Sequence, residues 1–214
     1  MIWAVIPVKE LGEAKQRLAS ALAPPQRLEL AQLMLTEVLD ALAAARGLAG
    51  VLVVTQDPFA TAAAKRHGFR VTTQGAREGH TGAVNAGRAL LAAEAGILTV
   101  PGDIPAVTPG ELEALLRAHK AAPSFTIAPA HDEQGSNAVL VSPPGAVPLR
   151  FGDNSYFPHL AAARAAGLEP TVVPLPGIGM DIDHPVDLGL FMACSQARHT
   201  RTYAWLKTRG LGQQ

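Results

Sequence analysis

The chain has 214 residues, 18 Lys+Arg against 18 Asp+Glu, 48% hydrophobic residues and one cysteine, a composition that excludes a disulfide scaffold and a disordered tail. A formal charge of zero excludes the basic excess of a typical nucleic-acid binder, and no apolar run approaches the roughly 20 residues of a membrane span. At this length folding removes roughly 70% of the unfolded chain's surface from solvent, enough for a full core without staples.

The N-terminal run MIWAVIPVKE turns charged after a few apolar residues and lacks the pattern of a secretory leader. Cys194 has no partner in the sequence, which points to a reducing, cytoplasmic setting.

In chain order, β-branched runs at 2–6, 51–55 and 69–73 alternate with helical patterns, the signature of βαβ units. After Pro24 and Pro25, the residues Leu28, Ala31, Leu35, Val38 and Leu42 share one helical face, and Gly47 and Gly50 are expected to stop that helix. Helices are expected at 59–67, closed by Gly68, and at 82–95, closed by Gly96. A strand at 97–100 runs into Pro101-Gly102-Asp103-Ile104-Pro105, and Thr108 is placed to cap a helix over 109–120. Strands at 125–129, 137–142 and 171–174, a helix near 155–166 and a helical segment beyond Asp187 complete the pattern.

No repeat or linker divides the chain. Residues 1–195 read as one domain, and 196–214, with Arg198, Arg201, Lys207 and Arg209 and no acid, as a basic C-terminal extension that is solvated or docked on a partner. The expected architecture is α/β: a mostly parallel mixed sheet flanked by helices, with Asp103 at the carboxyl end of a central strand. In open α/β sheets ligands bind in the crevice at those ends.

Four constellations carry chemistry. Pro7-Val8-Lys9 and Ala14-Lys15-Gln16-Arg17-Leu18 follow the first strand, where phosphates are usually cradled; with Gly12 alone there is no glycine-rich loop, and Lys9, Lys15 and Arg17 supply charge instead, or start a solvated basic helix. Asp103 and the alternating Asp181 and Asp183 offer the oxygen donors of a Mg²⁺ site, or cap the helices that follow them. Gly135-Ser136-Asn137 and Phe151-Gly152-Asp153-Asn154-Ser155 form a pocket for a second phosphate or carboxylate, or ordinary turns with Ser155 as N-cap. In Gly79-His80-Thr81-Gly82-Ala83-Val84-Asn85-Ala86, Asn85 reads a base edge or caps a helix.

The order IPVK, AKQRL, GAVNA, PGDIP, GSNAVL, FGDNS and DIDHPVDL, running from about residue 4 to 190, resembles the CofC/FbiD guanylyltransferases of coenzyme F420 biosynthesis. The resemblance implies the nucleotidyltransferase A fold over 1–195. It also implies a reaction joining GTP to 2-phospho-L-lactate, phosphoenolpyruvate or 3-phospho-D-glycerate with release of pyrophosphate, and a downstream transferase that consumes the product; a homodimer is compatible with it.

By resemblance, Asp103, Asp181 and Asp183 hold Mg²⁺, and Pro7, Lys9, Lys15, Arg17, Gly82, Asn85 and Asp103 bind the nucleotide. Lys15, Arg17 and Asp103 are then the catalytic residues, and Ser136, Gly152 and Ser155 bind the acceptor. Two positions depart from the family pattern, Ser136 and His184, each standing where threonine is usual. The alternatives are a molybdopterin or sugar-phosphate nucleotidyltransferase of the same fold, whose longer acceptor would require more than 5% aromatic residues, and a catalytically silent nucleotide-binding regulatory domain.

Overall fold

The β-branched runs pair into one seven-stranded sheet in the order β3-β2-β1-β4-β6-β5-β7, described here from a computed structural model covering residues 1–152 and 154–212. The strands are β1 (Ile2–Val8), β2 (Leu48–Thr55), β3 (Arg70–Thr72), β4 (Gly96–Thr99), β5 (Ser124–Pro129), β6 (Ser136–Ser142) and β7 (Thr171–Val172). β1, β2, β3 and β4 run parallel, β6 is antiparallel to both β4 and β5, and β7 is parallel to β5. The sheet is therefore mixed and mostly parallel, as expected.

Helices α1 (Pro24–Ala44), α2 (Pro58–Arg66), α3 (Gly79–Leu90), α4 (Pro109–Ala118), α5 (Tyr156–Ala165), α6 (Pro185–Ala193) and α7 (Arg201–Thr208) surround it. Two apolar clusters flank the sheet: Ile6, Val53 and Leu98 pack against Leu35, Leu39 and Leu112, while Val5, Leu52 and Val139 pack against Val84, Tyr156 and Leu160. A third joins Leu30 and Met34 of α1 to Ile182, Phe191, Trp205 and Leu206. The basic residues beyond 195 are tied to α1 as well, with Arg201 bonded to Glu37 and Asp40, and Arg209 3.1 Å from Glu29.

Three of the boundaries that differ from the sequence expectation have an identifiable cause. Gly50, expected as a stop, lies inside β2, because a Cβ there would sit 2.7 Å from the Trp3 ring that packs over it. Helix α3 starts three residues earlier than expected and ends at Leu90 rather than 95; Ala92 has the propensity to continue it, but Gly96 must enter β4 in close contact with Ile2 and Ser142. β7 keeps only two residues of the expected four, and Pro174, which cannot donate to a ladder, follows shortly after.

Pro7 is tolerated in a central strand because the β1–β4 register ends at Val5↔Thr99, below it. Thr108 caps α4 as expected, accepting from Glu111 N at 3.2 Å while the Glu111 carboxylate accepts from Thr108 N at 3.1 Å. No helix among the described residues is long and apolar enough to cross a membrane.

The loop after β1 is anchored by a residue outside every sequence constellation. Buried Asp57 accepts from Ala60 N at 2.9 Å as the N-cap of α2 and from Leu11 N at 3.0 Å in the loop. Asp57→Ala removes a cap and strands a buried amide, together about 2–4 kcal/mol. A fall in Tm of about 5–10 °C is expected in thermal unfolding, with Asp57→Asn less affected.

Candidate functional site

The strand ends bring three distant segments to one point. Val100 to Gly102 carry the chain from β4 to Asp103, and the backbone carbonyl of Asp103 accepts from Ile182 N at 3.2 Å, which clamps the Asp181–Asp183 stretch against the β4 loop. The loop after β1 supplies Lys15. Its ammonium lies 2.7 Å from Asp103 Oδ2 and 2.6 Å from Asp183 Oδ1, and its side chain is only 6% exposed. Lys15 has φ 57° and ψ 37°, a left-handed conformation unfavourable for a side chain with a Cβ and found mainly where the surroundings impose it. Arg17 Nη1 sits 3.9 Å from the other oxygen of Asp183.

These contacts bear on the capping reading of the aspartates. The cap of α4 is Thr108. At the start of α6 the accepting carboxylate is that of buried Asp187, which takes Asp183 N at 2.8 Å and His184 N at 2.6 Å. Asp103 and Asp183 are thereby left to face the Lys15 ammonium. Asp181 takes a different partner, accepting from Asn137 Nδ2 at 2.9 Å, with His131 3.7 Å away.

Asp183 and Asp181 are shifted in opposite directions because their environments differ. Burial raises the Asp183 pKa, but Lys15 and then Arg17 outweigh it and hold the group below the usual carboxylate range. Asp181, buried and beside Asp103 with no cation of its own, is pushed up to about 6. Burial works against the Lys15 charge, yet Asp103 and Asp183 together hold its pKa above the ordinary lysine value.

The pocket residues lie on the other side of β6. Ser155 occupies the N-cap position of α5 but caps nothing; its hydroxyl donates to Ser136 Oγ at 3.1 Å. Ser136 also meets His159 Nδ1 at 2.9 Å. A ladder of rings runs beside them: His80 to Phe151 at 4.6 Å, Phe151 to His159 at 4.9 Å and His159 to Phe125 at 6.4 Å between centroids. Gly152 is exposed, and a Cβ there would meet no atom within 4 Å. Asp153, within the same motif, lies outside the described residues.

The remaining sequence candidates are placed as follows. Pro7 is buried in β1 and Lys9 follows it, exposed and close enough to His80 to disfavour its charge. Gly82 is required by packing, since a Cβ would overlap the Glu78 side chain in the first turn of α3. Asn85 is not brought to the carboxylates. It sits midway along α3 beside a cavity of 340 Å³ lined also by Arg88 and Pro143–Gly145, and its buried Oδ1 has no partner.

Sequence reasoning missed Asn137, His131, Asp187 and His159. Asn137 directly follows Ser136 in a motif already singled out, and Asp187 stands three residues after His184, the spacing of a capping box; His131 and His159 carry no local signal, since their partners are remote in sequence.

The raised Asp181 pKa gives a signed expectation. Between the unfolded value of 3.8 and about 6 the folded chain holds the extra proton, so this contribution to stability is complete below the unfolded pKa and lost as pH rises through about 6. In metal-free urea unfolding, wild type should therefore lose stability relative to Asp181→Asn between pH of about 4 and 7; parallel curves would contradict the raised pKa.

Comparison with known proteins gives the family and the fold. The sequence profile described as "Guanylyl transferase CofC like" matches residues 2–212. A phosphoenolpyruvate guanylyltransferase of Rubrobacter xylanophilus is 38% identical over 192 residues, covering 87% of this chain and 91% of that protein. A 2-phospho-L-lactate guanylyltransferase of Methanothermobacter thermautotrophicus is 32% identical over 201 residues, covering 94% and 88%. Among solved structures, a putative nucleotide-diphospho-sugar transferase from Desulfovibrio desulfuricans superposes with a TM-score of 0.74 at 20% identity, covering 98% of this chain and 95% of that one; at that identity the likeness concerns the fold.

Proposed function

The chain belongs to the CofC-like guanylyl transferase family, and from that premise we propose that it transfers the guanylyl group of GTP to a small phosphorylated acid in coenzyme F420 biosynthesis. Phosphoenolpyruvate is the preferred acceptor, in line with the name of its 38% identical relative, ahead of 2-phospho-L-lactate and 3-phospho-D-glycerate. The observation that carries this reading is the convergence of Asp103 and Asp183 on one cationic nitrogen, at 2.7 and 2.6 Å.

That convergence also supports a divalent cation. Two carboxylates already facing one cation-sized position, with Asp181 beside them, form an all-oxygen donor set of the kind Mg²⁺ takes. Among the described residues no three His, Cys, Asp or Glu side chains enclose an ion on their own, which suits a metal completed by water and substrate phosphates. Asp103 and Asp183 would hold the ion, with Asp181 assisting. Bound there, it would screen the repulsion between two polyanions and polarise the α-phosphate.

The chain's own residues do the rest. An acceptor phosphate oxygen forms a bond to the α-phosphorus of GTP while the bond from that phosphorus to the bridging oxygen breaks, and pyrophosphate leaves with the electron pair. The acceptor phosphate is largely ionised at neutral pH, so no enzyme nucleophile is needed and catalysis is positioning and charge stabilisation. Lys15 and Arg17 stabilise the departing pyrophosphate, and Lys9 adds positive charge at the end of β1. Ser136 holds the acid, with Ser155 donating to the Ser136 hydroxyl at 3.1 Å and Gly152 leaving room for the ligand. On the nucleotide side, Asn85 lines the cavity beside α3, and its amide, turned out of the buried position its Oδ1 now holds, would read the N1–H and N2–H donors of guanine, which adenine does not present in that arrangement.

Pyrophosphate release from GTP, Mg²⁺ and each acid in turn tests the assignment; equal turnover with ATP or CTP, or none with any acid, would sink it. Asp103→Asn is nearly isosteric and should keep its Tm within a few degrees while turnover falls by orders of magnitude, and EDTA should abolish wild-type activity. Magnesium should also lower the Asp181 pKa from about 6 in a carboxyl-carbon NMR titration, a readout that needs no turnover. In Ser155→Ala, Ser136 Oγ loses one of the two donors that fix it, so the KM for the acid should rise about tenfold with the KM for GTP nearly unchanged.

A further inference from the structure

Consecutive residues at the start of β6 point to opposite faces of the sheet, and the two faces have different work. Asn137 turns to Asp181, whereas Ser136 turns to α5 and meets His159. The His159 ring is 1% exposed and packed between Phe125 and Phe151, so its orientation is fixed by its neighbours.

The hydrogen bonds around this ring have one consistent arrangement. The backbone N–H of Arg150 donates to His159 Nε2 at 3.1 Å, and a ring nitrogen that accepts carries no proton. The proton of the neutral imidazole is therefore on Nδ1, which donates to Ser136 Oγ at 2.9 Å. The Ser155 hydroxyl donates to the same Ser136 oxygen at 3.1 Å. Both lone pairs of Ser136 Oγ are then filled, and its own proton has no acceptor among the described residues. A serine hydroxyl normally serves as donor or acceptor by rotating; here it is left as a donor only.

We propose that His159 is a positioning residue for the acceptor: its fixed Nδ1–H tautomer turns Ser136 into an obligate hydrogen-bond donor aimed at an anionic oxygen of the phosphorylated acid. The proposal rests on the guanylyl-transfer reading above and assigns a role to a buried residue that does not itself touch substrate. A hydroxyl free to rotate could present its lone pairs to the anion, whereas one locked as a donor cannot, and hydrogen bonds to a charged acceptor are the strong ones. Burial, reinforced by His80 close by, pushes the His159 pKa down to about 4, so the ring keeps its single proton through the neutral range.

Two substitutions separate the two ring nitrogens. The side-chain amide of Asn reaches the place of Nδ1, and that of Gln the place of Nε2. His159→Asn can keep a donor to Ser136 and should leave the KM for the acid within about threefold of wild type. His159→Gln keeps only the contact with Arg150 N–H, and its KM for the acid should rise about tenfold, the equivalent of about 1.4 kcal/mol. In both variants the KM for GTP and kcat should change less than about twofold.

Equal acid KM values in the two variants, or a loss confined to kcat or to GTP, would overturn the proposal, since a purely structural histidine predicts lower Tm in both without this split. A measurement on unsubstituted protein serves where a variant fails to fold: long-range ¹⁵N–¹H NMR should show His159 with Nδ1 protonated and Nε2 bare at neutral pH, and the opposite tautomer would overturn the proposal. Wild type with the Nδ1–H tautomer but no guanylyl transfer to any acid would refute the activity while leaving the locked hydroxyl in place, so the two failures are distinguishable.

Discussion

The Lys15 ammonium, held between Asp103 and Asp183 at 2.7 and 2.6 Å, is the contact on which the rest of the site depends. It joins the loop after β1 to the loop after β4 and the segment before α6, which the bond from Ile182 N to the Asp103 carbonyl already holds together. Removing both carboxylates would be costly because it would leave a buried ammonium uncompensated, whereas with one removed the other still pairs it. The left-handed backbone at Lys15 is consistent with this, since local strain persists where surrounding contacts over-determine the conformation. The loop is also held from behind by Asp57, through Leu11 N.

Charge balance around that contact explains the behaviour of the third acid. Lys15 and Arg17 face Asp103 and Asp183, and the two cations suffice for those two carboxylates. Asp181 remains, with a neutral Asn137 and a histidine as its neighbours, and burial, with the charge of Asp103 beside it, raises its pKa.

Much of this was legible in the sequence, and what was not has a common cause. Strand and helix periodicity gave the α/β architecture because apolar spacing is a local property, and PGDIP announced an acid at a strand end. Lys15, Arg17, Asp103 and Asp183 could be nominated from charge and position alone. Gly50 was misread because what it accommodates, the Trp3 ring, belongs to a neighbouring strand. The early end of α3 was hidden for the same reason, since alanine propensity continues a helix that the entry of Gly96 into β4 cuts short. Asp57 and Asp187 follow capping spacings that were legible but passed over, whereas the bonds from Leu11 N to Asp57 and from Arg150 N to His159 join segments that no spacing rule relates.

The antiparallel strand gives the site its division of labour. A parallel strand brings only the loop that follows it to the carboxyl edge of the sheet. β6 runs the other way against β4, with Thr99 opposite Val139, so its first residues reach the same edge that β4 approaches with Asp103. Because strand neighbours alternate in direction, Ser136 and Asn137 meet different partners from adjacent positions, one beside α5 and the other at the acids. A single strand end thus presents one side chain to the pocket beside α5 and the next to the acids, and the surrounding hydrogen bonds of His159 and Asp181 fix which way each one points.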